Sequence, residues 1–161
     1  MDLRAALRQA RGMDGDAFSG DVFSGAKIAL VCGARLVTYK RDLKPTIPWP
    51  GLWDLPGGGR EGDESPVECA LRETEEEFGL VLAPARIHWR RRYPGVTVPG
   101  LSTWFLAAAI SEAEVAAIRF GDEGQCWQMM ECRAFRTHPQ AVGHLQDRLS
   151  DYLEAVPGAA G

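Results

Sequence analysis

The residues with the clearest chemical content lie between Gly57 and Leu80, where the chain reads GGGREGDESPVECALRETEEEFGL. Glu73, Glu76 and Glu77 have the spacing i, i+3, i+4, so on a helix they share one face. Like charges that close repel by roughly a few tenths of a kcal/mol per pair. A helix that keeps them together has a use for a cation. Oxygen ligands with no His or Cys cluster nearby suit a hard divalent ion, magnesium or manganese, rather than zinc. Arg72 stands beside this face, and its planar guanidinium suits a bidentate hold on one carboxylate. Leu55, Pro56 and the glycines at 57–59 precede the helix. Glycines there let the backbone turn tightly and show its own carbonyls to a ligand.

The helix that must position these groups is marked at both ends. Ser65 is a good N-cap, Pro66 suits the first turn, and Glu68 completes a capping box. Gly79 is a stop signal. Val67, Ala70, Leu71, Thr74 and Phe78 recur at helical spacing and form an apolar side that should pack on a sheet. A charge run taken alone reads as a solvated helix face. The joint offsets of the glycine loop, Glu64, Arg72–Glu73, the paired glutamates and Gly79 point instead to a site.

This pattern resembles the Nudix box, a glycine, an isolated glutamate, Arg-Glu, a glutamate pair and a terminal glycine at fixed offsets. Gly58, Glu64, Arg72, Glu73, Glu76, Glu77, Gly79 and Leu80 all fit it. Thr74 stands where the box has an aliphatic residue, but its methyl can still pack inward. A second stretch, Gly121-Asp122-Glu123-Gly124-Gln125 followed by Trp127 and Met129, is similar to the Gly-Lys-Glu-Gly-Gln segment of the MutT branch. That likeness implicates Glu123; alone, the segment is an ordinary turn.

The resemblance implies an α/β (α+β) fold class, an αβα sandwich with a mixed β-sheet, and metal-dependent hydrolysis of a nucleoside diphosphate-linked substrate. It implies Glu76 and Glu77 as principal metal ligands, with the Gly57 carbonyl and Glu123 as further ones. Glu73 is then base or ligand, oriented by Arg72, and Glu64 acts through a second metal or a water. Gly58 would lie against the substrate. Lys40 and Arg41 end a strand that faces the glycine loop in related proteins, so they would contact phosphates or else form a solvated strand end. Trp53, beside the loop, is the aromatic expected to stack on a base; Trp49, Tyr93, Trp104 and Phe120 are expected mostly in the core.

The favoured activity is that of a MutT-like nucleoside triphosphate pyrophosphohydrolase, acting on an oxidised purine such as 8-oxo-dGTP and releasing monophosphate and pyrophosphate. The MutT branch reads its base with an Asn near the last helix; the matching region here is Thr137-His138-Pro139-Gln140, and the chain has no Asn. The alternative is a pyrophosphatase of ADP-ribose or a nucleotide sugar, whose marker proline Pro94 and Pro99 straddle without matching. A non-catalytic nucleotide-binding domain is disfavoured because every box glutamate is present.

The remaining elements read as strands over 26–32, 35–40, 52–55, 86–93, 101–110 and 125–131, with helices over 111–118 and 139–154. Residues 26–155 make the domain, 156–161 a tail, and 1–25 an N-terminal extension with a short helix over 2–11 and a Gly/Asp-rich linker. A length of 161 residues with 45% hydrophobic content fits one domain with its own core. The net charge of −4 argues against a broad surface for polymeric nucleic acid. It does not argue against a nucleotide, because a bound divalent metal offsets phosphate charge. Cys32, Cys69, Cys126 and Cys132 form no CxxC pair and read as reduced thiols in a cytoplasmic protein, with Cys69 as small helix filler. No stretch approaches the roughly 20 apolar residues of a membrane span. The expected assembly is a monomer or homodimer without membrane contact.

Overall fold

The computed structural model describes residues 22–159. The expected helix over 2–11 and most of the linker lie outside the described residues. Strand β1 (Phe23–Cys32) and strand β6 (Ser102–Ala109) are the two most apolar segments, and they pair in parallel at the middle of the sheet. Apolar residues at successive positions suit strands buried on both faces. Outward from β1 come β2 (Arg35–Lys40) and then β3 (Trp53–Asp54); β5 (Ile87–Pro94) flanks β6 on the other side. Strand β4 (Gly57–Gly59) pairs with β1, and β7 (Cys126–Glu131) pairs with β2. Every pairing except β1–β6 is antiparallel, so the seven-stranded sheet is mixed, as expected.

The two-residue period of a strand divides the core in two. Ile28 and Leu30 of β1 and Leu106 and Ala108 of β6 face helix α1 (Pro66–Phe78), meeting Leu71 and Phe78. Ala29, Val31, Phe105 and Ala107 face the opposite layer. There α3 (Cys132–Thr137) and α4 (Gly143–Ala155) contribute Phe135, Leu145, Leu149 and Tyr152. Helix α2 (Glu112–Ala116) follows β6, opens with its own Ser111–Glu114 capping box and packs Val115 on the α1 side of the core. The result is the αβα sandwich.

Helix α1 follows its sequence signals closely. Ser65 Oγ accepts from Glu68 N at 3.1 Å, and Ser65 N donates to Glu68 Oε1 at 3.1 Å. Gly79 ends the helix with φ 67°, in the left-handed region. Thr74 is fully buried and its hydroxyl donates to the Ala70 carbonyl at 2.8 Å, so it does pack inward. All four cysteines are free, and Cys69 is buried. Burial pushes the Cys69 thiol up to about 12, which makes it a filler and not a nucleophile.

Several elements differ from expectation, among them β4, which forms within the glycine run expected as a turn. Strand β1 begins at Phe23, because Gly25 and Ala26 pair with Gly59 and Gly58 and draw the strand back. The expected helix over 139–154 begins only at Gly143. Residues 140–142 are used differently: Trp53 N donates to Gln140 O at 2.7 Å, and Val142 N donates to Trp53 O at 3.0 Å. A backbone committed to a strand edge cannot also be helical. Helix α3, just before it, had no expected counterpart. Among the described residues no helix is long and apolar enough to cross a membrane.

The cap of α1 is open to direct test. Ser65→Ala should cost about 1 kcal/mol of stability, lowering the melting temperature by about 2–4 °C for a domain of this size. A thermal melt with no shift would show that the capping box contributes nothing to holding α1.

Candidate active site

Two local structures face each other: the acidic side of α1 and the glycine turn that ends in β4. The turn requires glycine at position 57. Its φ is 128°, which side chains rarely adopt, and an added Cβ would meet Lys27 Cα at 2.7 Å. At Gly58 an added Cβ would fall 2.7 Å from the Glu73 carboxyl, so the helix carboxylate packs directly on the turn.

Arg72 ties the two parts together. Its Nε and Nη2 hold Glu64 bidentately, at 2.7 and 3.1 Å. Its Nη1 reaches Glu73 at 3.0 Å and Glu76 at 3.1 Å, and Nη2 also donates to the Gly59 carbonyl at 2.8 Å. Hydrogen bonding to Glu64 is the main cause that raises the Arg72 pKa. Glu64, distant in sequence from the helix glutamates, is thus joined to them through one guanidinium.

Glu77 is different. It is buried, and its Oε1 accepts from Gly57 N at 2.8 Å. Among the described residues it has no ion-pair partner. Burial pushes its carboxyl up to about 8, against the partial opposition of the Lys27 charge. Burial also raises the Glu73 carboxyl. A buried carboxyl with no salt-bridge partner among the described residues and the oxygens of Glu73, Glu76 and the turn carbonyls fit a hard divalent cation. As they stand, no three acidic, His or Cys side chains among the described residues converge on one point, because Arg72 draws Glu64, Glu73 and Glu76 to itself. Glu76 is more than half exposed and can reach the same face by side-chain rotation.

Beneath the turn lies a cluster that sequence reading missed. Asp54 is 2% exposed and accepts from Lys27 Nζ at 3.1 Å, Arg41 Nη1 at 2.7 Å, Tyr39 OH at 3.1 Å and Leu55 N at 2.7 Å. Burial opposes its charge, but Lys27 and Arg41 outweigh burial and lower its pKa. Lys27 also donates to the carbonyls of Leu55 and Gly57, each at 3.1 Å, so it fixes the turn from below. The signal was present in the sequence: a lysine inside the apolar run Ala26–Cys32.

A cavity of about 220 Å³ opens on the other side of the turn. Gly58, Gly59 and Lys27 line it, together with Trp49, His144 and Arg148. Among the expected site residues, the structure therefore brings together Glu64, Arg72, Glu73, Glu76, Glu77, Gly57 and Gly58. Arg41 is committed to Asp54 and to the Pro48 carbonyl, and neither it nor Lys40 lines the cavity. Trp53 packs in the core edge-on to His138, and Trp49 is the tryptophan at the cavity. Glu123 is exposed, on a loop attached to the C-terminal end of α1 by Gly121 N donating to Glu77 O at 2.8 Å.

The family described as NUDIX domain matches residues 25–147. An RNA pyrophosphohydrolase of Acidiphilium cryptum is 42% identical over 55 residues, covering 34% of this chain and 32% of that protein. The chain thus matches about a third of the length of that curated relative. Among solved structures, a MutT protein of Methanosarcina mazei superposes with a TM-score of 0.67 at 17% identity, covering 84% of this chain and 96% of the other. A bifunctional NMN adenylyltransferase/ADP ribose pyrophosphatase of Francisella tularensis, complexed with AMP and a Mn ion, gives a TM-score of 0.64 at 17% identity. That match covers 94% of this chain and 46% of the other. At such identities the two structures speak for the fold.

The Asp54 cluster makes a stability prediction. Asp54→Ala leaves Lys27 and Arg41 without their shared carboxylate and should destabilise the domain by about 3–5 kcal/mol. Because folding lowers the Asp54 pKa, its contribution is fully present above the unfolded value of about 3.9 and is lost as pH falls through the folded value. Urea unfolding of wild type and variant should show a gap that persists at neutral pH and closes only below that range. A gap under about 1 kcal/mol at pH 7 would mean the buried pairs barely offset their desolvation.

Proposed function

This chain belongs to the Nudix family, and from that premise we propose that it is a MutT-like nucleoside triphosphate pyrophosphohydrolase, releasing a nucleoside monophosphate and pyrophosphate. An oxidised purine nucleotide such as 8-oxo-dGTP is the substrate favoured by the likeness of residues 121–125 to the MutT branch. One observation carries the reading: the cavity and the acidic face of α1 share the glycine turn as a common wall. A nucleoside held in the cavity would run its phosphates along Gly58 and Gly59 to Glu73 and its neighbours.

Enzymes of this family are typically dependent on divalent metals. We assign Glu76 and Glu77 as the principal residues to hold the metal, with the Gly57 carbonyl and Glu123 as further ligands and Glu73 as either a ligand or the base. The bound ion would offset phosphate charge and lower the pKa of a coordinated water. Glu73, packed on Gly58 and held by Arg72, is the carboxylate set to take the proton from an attacking water. Glu64 acts through Arg72, which fixes the position of Glu73. Catalysis of this kind is mainly positioning and electrostatics, so the rigid turn matters as much as the ligands.

The test is turnover on one panel, with magnesium and with manganese. The panel holds ordinary and 8-oxo nucleoside triphosphates, 5′-triphosphate RNA, ADP-ribose, nucleotide sugars and dinucleoside polyphosphates. Preferential cleavage of a triphosphate is expected; preference for ADP-ribose would move the chain to the alternative reading. Glu76→Gln should lower turnover on the order of 10²–10³-fold. Because Glu76 is more than half exposed, stability should stay within about 0.5 kcal/mol. Full activity in that variant would remove Glu76 from the metal site.

A further inference from the structure

The cavity beside the glycine turn contains a charge that nothing among the described residues balances. Arg148 lies on α4 at 6% exposure, within the core-facing stripe of Leu145, Leu149 and Tyr152. Its Nη2 donates to the Pro94 carbonyl at 3.1 Å, and its guanidinium sits 4.7 Å from the Tyr93 ring centre. Neither contact is an ion pair. The nearby Asp151 is taken by the Tyr93 hydroxyl at 2.9 Å and by Arg91 at 3.6 Å. A guanidinium carries five N–H donors, and a carbonyl and a ring face leave most of them unused. An arginine so deeply buried without a carboxylate is rare, and it asks for an acceptor.

The rest of the cavity says what kind of acceptor. Thr103 Oγ1 is buried with no hydrogen-bond partner among the described residues, and Thr103 lines the same cavity as Arg148. Trp49 packs against His144 with ring centres 4.8 Å apart and the rings tilted by 50°, and it is the one described non-glycine residue with a positive φ, 49°. Such backbone strain is held where the surroundings require it, and here it sets an aromatic face against the cavity. Burial pushes His144 down to about 4, so the ring is uncharged at neutral pH. Ala26, Val96 and Val98 supply apolar walls, and among the described residues no carboxylate lines the cavity. Flat apolar walls with a few convergent donors suit a nucleobase; a phosphate would match the charge but not the walls.

We infer that Arg148 is a specificity-determining residue that donates to the O6 acceptor of a keto purine stacked on Trp49, so that the site prefers guanine-type over adenine-type nucleotides. The inference rests on the nucleotide reading of this same site. Guanine, hypoxanthine and 8-oxoguanine all present an oxygen at that position. Adenine presents an amino donor there, and two facing donors would leave the buried guanidinium unpaired. Thr103, whose hydroxyl both donates and accepts, meets a second polar edge of the same ring.

The test is equilibrium binding of GMP, IMP, 8-oxo-GMP and AMP to the full chain, followed by tryptophan fluorescence and by calorimetry, beside the turnover panel. Because one well-placed arginine contact discriminates bases strongly, GMP, IMP and 8-oxo-GMP should each bind about tenfold more tightly than AMP. Arg148→Gln should bring that ratio close to 1 while AMP affinity stays within about twofold, since O6 is the one base atom that Arg148 is inferred to contact. Equal binding of GMP and AMP by an enzyme that cleaves nucleotides would overturn the Arg148 inference alone. So would IMP binding as weakly as AMP, which would place recognition on the 2-amino group, or an unchanged ratio in a folded Arg148→Gln variant. If that variant fails to fold, the IMP–AMP comparison in the wild type decides without it. No binding and no cleavage of any nucleotide would overturn the function reading and the inference together.

Discussion

The acidic face depends on one guanidinium. Four carboxylates gathered on one side of a short helix would repel one another and pull the helix from the turn. Arg72 offsets that repulsion by bonding Glu64, Glu73 and Glu76 at once, and by bonding the Gly59 carbonyl it makes helix and turn a single unit. The geometry needs a planar fork: two parallel bonds go to Glu64 while the remaining donors reach elsewhere. A lysine could supply the charge but not the fork. Arg72 therefore decides where Glu73 sits relative to Gly58, which is the distance on which the site's chemistry turns.

The turn itself is held from the opposite side by a second cation. Lys27 reaches up from β1 to the carbonyls of Leu55 and Gly57 while pairing with Asp54 below. Between these two anchors Glu77 accepts from the Gly57 amide, so helix, turn and central strand are cross-linked by hydrogen bonds to charged groups. Such bonds are worth more than neutral ones, and they cost dearly when one partner is lost. The glycines permit the close approach and the charges keep it. Glycine alone would have made the turn loose; the cations alone could not have closed it.

Helix α1 and its acidic face were legible because their determinants are local. Ser65, Pro66, Glu68 and Gly79 define the ends within a few residues, and the i, i+3, i+4 spacing puts the carboxylates together without reference to the rest of the chain. The mixed sheet and the sandwich followed from the family resemblance and the apolar strands. What escaped was non-local. The start of α4 is set by residues 140–142 pairing with Trp53, far away in sequence. Trp53 and Trp49 look alike in a sequence and both pack on the same core, yet Trp53 lies in a strand and only Trp49, on a loop, also lines the cavity. Lys27 and Arg148 did leave a trace. Each is a cation at a position whose neighbours are core residues, and such a residue must find a partner across the fold.

That rule has different outcomes at the two positions, and the difference organises the site. Lys27 finds its carboxylate in Asp54, so its charge is spent inside the protein. Arg148 finds only a carbonyl and an aromatic ring, and so it keeps donors for something else. Across the glycine turn the groups are of the opposite kind: Glu77 is buried, bonded to the Gly57 amide and, among the described residues, held by no salt bridge. One wall thus divides a cavity lined by Arg148, Trp49 and apolar side chains from a face rich in carboxylates. A molecule that satisfies both sides must offer acceptors on a planar ring at one end. At the other it must bring a group that binds together with a divalent cation, and a purine nucleotide carrying its polyphosphate has that distribution of chemistry.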